Sequence, residues 1–174
     1  MHGVRLIVSD DHTGLAAART ARFPGVPWQR CQFHLAKNLF DHLTPGVSPS
    51  EASADLRAVW NAANRVEAER LLGLMVKKYA AVAPKLAAWL EENVPEGLTV
   101  FDFPVEHRRR LRTINGLERL NREIKRRTRV ATLFPNEASL LRLATAVLME
   151  VDEEWQTEKR YLPTTTPQPA STRS

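Results

Sequence analysis

The segment "VSDDHTGL", residues 8–15, sets two adjacent aspartates where an apolar run gives out and a helix begins. Residues 4–8, "VRLIV", read as a short buried strand, apolar and β-branched and broken only by Arg5. A carboxylate at the end of such a strand is either a helix cap or a metal ligand. Asp10 stands at the strand end, a place that lines the ligand crevice in open α/β sheets, yet aspartate is equally an ordinary turn residue. Asp11 or Thr13, closer to the helix over residues 14–22, is expected to cap it. His12 reads as a surface turn residue, with a ligand or phosphate-contact role left open.

Downstream, "FPGVP" (23–27) stops that helix with two prolines and a glycine. "VPWQRC" (26–31) predicts a second strand. "QFHLAKNLFDHL" (32–43) has amphipathic helical spacing, with Phe33, Leu35, Leu39, Phe40 and Leu43 as its apolar set. Strand–helix–strand–helix is the order of an α/β unit. The middle of the chain is helical: "SPSEASADLRAVW", "VEAERLLGLMVKKYAAV" and "PKLAAWLEENV" predict three helices over about residues 50–94. Ser50 and Asn64 serve as caps and Pro84 opens a helical turn. "GLTVFDF" (97–103) reads as a strand or an extended segment. A last helix begins with Asn136 as cap. The tail, residues 163–174, has almost no apolar side chains and is expected to be disordered.

A chain of 174 residues is long enough for one domain with a real core. No run approaches the roughly 20 apolar residues of a membrane span, and the opening "MHGVRLIVSDD" lacks the features of a signal peptide. A single cysteine, Cys31, excludes an internal disulfide and suits a reducing compartment, so a cytoplasmic location and no membrane partner are expected. The net charge is +5, but it is unevenly placed. Between His107 and Arg129 stand ten Lys/Arg against two Glu, a net of +8, which leaves −3 for the rest. A focused basic block of this kind is the footprint of a polyanion-binding surface, most simply for nucleic acid; the alternative is a solvated helix face.

Helical periodicity sharpens that reading. At about 100° per residue, Leu117, Leu120 and Ile124 form one narrow apolar stripe facing the core. Glu118, Asn121, Arg122, Lys125 and Arg129 share a face centred roughly 140° away. Glu123 lies on another side again, so the two glutamates cannot serve one site. A carboxylate followed by cations at i+4, i+7 and i+11 suits a metal-and-phosphate site: the acid holds the cation, the basic groups the phosphodiester backbone. Glu118 also stands three residues after Asn115, which makes a capping box the competing explanation. "RCQFH" places Cys31 and His34 in a C-x-x-H arrangement, half of a zinc site with no second pair to complete it, so no zinc is expected. Cys31 instead reads as a small buried hydrophobe at a strand end, with His34 making a positioning hydrogen bond nearby.

Three stretches, "VSDDHTGL", "FPGVPWQRCQFHLAKNL" and "NGLERLNREIKRRTRVATLFPNEASLLRL", resemble in order and spacing the mutator-type transposases of bacterial insertion sequences. The resemblance covers residues 3–162 and leaves the Pro/Thr tail outside. It implies a ribonuclease-H-like catalytic core of the DDE type, with an all-helical insertion at about 50–94. The second acid falls on Asp10 and the Glu on Glu118, holding Mg²⁺ or Mn²⁺. Arg122, Lys125, Arg126 and Arg129 would grip double-stranded DNA, at insertion-sequence ends and target. Cys31, His34 and Asn121 are accessory. The full-length parent is expected to be a homo-oligomer. The family's first Asp lies on an earlier strand, whereas here Asp10 follows Met1 closely. The expectation is therefore a truncated catalytic domain, inactive alone, or a non-catalytic DNA-binding fragment that regulates an intact transposase.

Overall fold

The computed structural model describes residues 3–130, 134 and 136–157. They fall into two compact units, Met1–Ile114 and Asn115–Ser174. The first begins with strand β1 (Ile7–Ser9), helix α1 (Thr13–Arg22) and strand β2 (Trp28–Arg30). The strands pair in parallel, with Ile7 opposite Trp28, Val8 opposite Gln29 and Ser9 opposite Arg30. The expected strand over residues 4–8 is thus shorter and shifted toward Asp10. Its partner explains the shift: the turn through Gly25, at φ +76°, delivers the chain to Pro27, which contributes only its carbonyl, to Ile7 N–H at 3.0 Å. Pairing ends as Cys31 N–H donates to Ser9 O at 2.8 Å. Helix α1 contributes no buried residue, though Arg19 lies 4.2 Å from the Trp28 ring centroid in a cation–π contact.

A helical assembly follows: α2 (Gln32–Leu39), continued by a 3-10 turn at Phe40–His42, then α3 (Pro49–Trp60), α4 (Arg65–Ala80) and α5 (Pro84–Asn93). The three helices expected over residues 50–94 are all present. Asn64 caps α4 by accepting from Glu67 N–H at 2.9 Å, and Pro49 and Pro84 open α3 and α5 where no backbone donor is needed. The cap of α3 is Ser48 rather than Ser50. Leu56 and Val59 of α3, Leu72 and Met75 of α4, and Leu86 and Leu90 of α5 meet in one apolar core with Leu39, Val94 and Leu98.

Two expectations for this unit change. Of the apolar set on α2, Leu35 and Leu39 are buried, but Phe33 and Phe40 are about half exposed, and Gln32 is buried in their place. Its Nε2 donates to Gly97 O at 2.8 Å, so a polar group enters the core satisfied. "GLTVFDF" is no strand. It forms 3-10 turns at Val94–Gly97 and Thr99–Asp102, which let Leu98, Val100 and Phe101 all turn inward where two-residue alternation would expose one. Helix α6 (Val105–Leu111) completes the unit.

The second unit pairs α7 (Asn115–Val130) with α8 (Glu137–Thr157). Asn136 caps α8 as expected, its Oδ1 accepting from Ser139 N–H at 2.9 Å. Leu117 departs from the expected stripe: it is 54% exposed, whereas Leu120 and Ile124 are partly buried. One neighbouring helix covers only a narrow strip of α7. The tail at 163–174, expected to be disordered, lies outside the described residues.

Candidate metal and nucleic-acid site

Asp10 follows β1 directly, at the carboxyl end of the parallel pair. Its Oδ1 accepts the Asp11 N–H at 2.8 Å. Ser9 braces the same turn: its Oγ donates to Asp10 O at 2.9 Å and accepts from Trp28 Nε1 at 2.9 Å. The cap of α1 is neither Asp11 nor Thr13. His12 takes that place, its Nδ1 accepting from Gly14 N–H at 3.1 Å, which puts the ring proton on Nε2. An imidazole acceptor does the work usually given to a carboxylate, and both aspartates are spared from capping.

Asp11 turns instead to Arg30, 3.4 Å away. Arg30 is 4% exposed and ends β2. It also donates to Glu96 Oε2 and Asn93 Oδ1, each at 2.9 Å, so a buried guanidinium ties the strand ends to the end of α5 and the turn beyond it. Beside it Gln29, fully buried, donates to Gly97 O at 2.8 Å and accepts from Val100 N–H at 2.7 Å. Neither residue was singled out in the sequence. The available signal was two adjacent polar side chains inside a run read as a strand. Cys31 is fully buried at the start of α2, matching its reading as a small hydrophobe. His34, one turn on, is partly buried, with its ring edge-to-face with Phe33 at 5.5 Å.

On α7, Glu118, Asn121, Arg122, Lys125, Arg126 and Arg129 line one shallow concavity. Glu118 is half-buried there, while the other five are exposed. Asn115 is the first helical residue, one step inside the position a capping box requires. Glu123, on a different side, accepts from Arg126 at 2.7 and 2.9 Å and from Arg127 at 2.7 Å. Those hydrogen bonds hold its carboxyl down at about 2. Arg127 reaches on to Glu150 of α8 at 2.6 and 3.1 Å, which clamps the two helices. Arg126 is therefore shared between Glu123 and the concavity, its side chain still 63% exposed. The structure groups the α7 residues named from the sequence; in the other unit Asp10 and Cys31 follow the ends of the paired strands, and His34 lies within α2.

A strand-end aspartate followed by a C-x-x-H element, and a glutamate set among cations on a later helix, define a class already marked by motif order. The sequence matches the family described as "Transposase, Mutator family" over residues 1–158, and the chain belongs to that family. Among its relatives is the transposase for insertion sequence element IS406 of Burkholderia multivorans, 56% identical over 93% of this chain and 42% of the relative. The transposase for ISRM5 of Rhizobium meliloti is 40% identical over 93% of this chain and 40% of its own length. That for IS256 in transposon Tn4001 of Staphylococcus aureus is 32% identical, over 93% and 42%. The chain thus spans about two-fifths of the length of the curated relatives it matches. Among the described residues, no helix is long and apolar enough to cross a membrane.

Proposed function

We propose that the chain is part of a DNA transposase of the DDE type, with a ribonuclease-H-like core that cleaves phosphodiester bonds and transfers strands using Mg²⁺ or Mn²⁺. The observation that carries this reading is the α7 concavity, where one half-buried carboxylate, Glu118, sits with Asn121 and four cationic side chains. A site that held only the phosphodiester backbone would not need the acid, and one that held only a metal would not need the cations.

Among the described residues, no group of three or more His, Cys, Asp or Glu side chains is assembled to hold a metal ion, so the ion would rest on single carboxylates. Hard divalent cations take one or two carboxylates and fill their remaining positions with water and phosphate oxygens. By the family resemblance, Glu118 and Asp10 are each assigned as a metal-binding carboxylate; at Asp10, Oδ1 is steadied by the Asp11 N–H. A bound Mg²⁺ or Mn²⁺ would contribute Lewis-acid stabilisation and a more acidic attacking water or hydroxyl. The protein's part is to position. Arg122, Lys125 and Arg129 bind phosphate oxygens, Arg126 contributes from its shared place beside Glu123, and Asn121 offers a neutral donor between them. The Cys31 backbone N–H, bonded to Ser9 O at 2.8 Å, secures the strand end that carries Asp10, and His34 is kept as an accessory residue by the family resemblance. The remaining acid of the DDE set is not assigned among the residues of this chain.

In a full-length transposase of the family, Asp10→Asn or Glu118→Gln at the matching position is expected to abolish strand cleavage and leave DNA binding largely intact. Retained cleavage in either variant removes that residue from the mechanism. A second reading, a non-catalytic DNA-binding fragment that regulates an intact transposase, needs only the cationic surface. Salt-sensitive duplex binding without metal-dependent nicking is its signature.

A further inference from the structure

The basic block that runs unbroken in the sequence is divided between the two units: α6 lies in one and α7 in the other. On the first unit, Arg108, Arg109 and Arg112 line a cleft of about 310 Å³ together with Trp60, Asn61 and Phe101. No carboxylate is among the described residues lining it.

Arg108 is fixed by backbone carbonyls: Nε donates to Phe103 O at 2.9 Å, Nη1 to Ala63 O at 3.0 Å and Nη2 to Phe101 O at 3.1 Å. Its guanidinium carbon lies 5.2 Å from the Phe101 ring centroid. These partners are dipoles, so they hold the group without cancelling its charge. Arg112 is treated likewise, donating to the neutral Asn61 Oδ1 at 3.2 Å. Arg109 is exposed. Elsewhere in the unit, Arg65, Arg70 and Lys78 are each neutralised by carboxylates at 3.0 Å or less. Asp102, the acid next to Phe101, is itself taken by Arg65. Three guanidinium groups, two of them held in place without counter-charge and set beside aromatic walls, are built to receive an anion.

We propose that this cleft is a second phosphodiester-binding surface, carried by the first unit and independent of the α7 track. It rests on DNA being the partner, as in the functional reading above, but not on Asp10, Glu118 or a metal. An acidic protein is the competing occupant, and the family's transposase membership favours nucleic acid.

Binding of the full chain to a fluorescein-labelled random-sequence duplex, followed by anisotropy between about 50 and 200 mM NaCl, tests it. The double variant R109Q/R112Q should lower the slope of log affinity against log salt by about 2, since each lost phosphate contact removes roughly 0.9. R109K/R112K, which keeps both charges and gives up the Asn61 geometry, should restore most of it. R122Q/K125Q/R129Q should lower the slope separately, by about 3. An unchanged slope in R109Q/R112Q, with helical circular dichroism intact, overturns the cleft while leaving the α7 surface standing. A change confined to R109Q/R112Q does the reverse. Lysine variants that fail to rescue, or polyglutamate that binds as tightly as DNA, also overturn it. So does a wild-type chain with no salt-dependent duplex binding, an outcome that leaves the metal ligands to their own test.

Discussion

Gln29 shows how much a single buried amide settles here. Its side chain joins β2 to the turns over residues 94–102, accepting from Val100 N–H and donating to Gly97 O and Arg30 O. Gln29→Ala strands the Val100 donor in the core and opens a cavity. The expected loss is about 1–3 kcal/mol from the unsatisfied group alone, read as a lower urea midpoint with an unchanged m-value. A midpoint within error of wild type would mean that water or a backbone shift repairs the gap. The same residue marks a limit of sequence reading. The strand read over residues 26–31 contains β2, but a local sequence pattern carries no information about which distant carbonyl a buried amide will meet. Arg30 was hidden for the same reason: its partners Asn93 and Glu96 lie more than sixty residues away. His12 was passed over as a cap because carboxylates and hydroxyls are the usual caps, and two carboxylates stood beside it.

At the scale of elements, the helices were the most legible part, because caps and prolines write their boundaries locally. Asn64, Pro84 and Asn136 all stand where the sequence placed them. The face of α7 was legible too, since 3.6-residue geometry alone groups Glu118 with Asn121, Arg122, Lys125 and Arg129. What periodicity could not supply was the width of the buried strip, and Leu117 is exposed as a result. The ion pairs within α7 that hold Arg127 toward its clamp on Glu150 of α8 have a defined pH signature. Hydrogen bonds from Arg126, then Arg127, lower the Glu123 carboxyl from the ordinary 4.5 to about 2. A depressed folded value contributes stability above the unfolded value, and that contribution is lost as pH falls from about 4.5 toward 2. The melting-temperature advantage of wild type over Glu123→Gln should therefore be full at pH 7 and shrink across that window. It should also diminish in high salt, since these groups face solvent. A constant difference down to pH 2 would show that the ion pairs do not support the helix pair.

Across the whole molecule, the sheet is the least self-sufficient feature. Among the described residues β1 and β2 pair only with each other, and isolated two-strand ribbons are marginal. Val4, Leu15, Phe33 and Phe40 of the same unit are exposed. An open strand edge beside apolar side chains favours association between chains. The isolated chain should therefore elute from a sizing column in concentration-dependent, larger-than-monomer species. A sharp monomer peak with one cooperative thermal transition would contradict this. The division at Ile114 could not be read from the sequence, because the charge block crosses it without a change of composition. The helical assembly that anchors β2 also gives the junction a natural reporter. Cys31 is the sole cysteine and has no accessible surface, so a thiol-reactive dye can modify it only when the strand–helix joint opens. In the regime where reclosing outpaces modification, the labelling rate measures how often that joint breathes, and a binding partner that steadies it would slow the reaction without touching the sulfur.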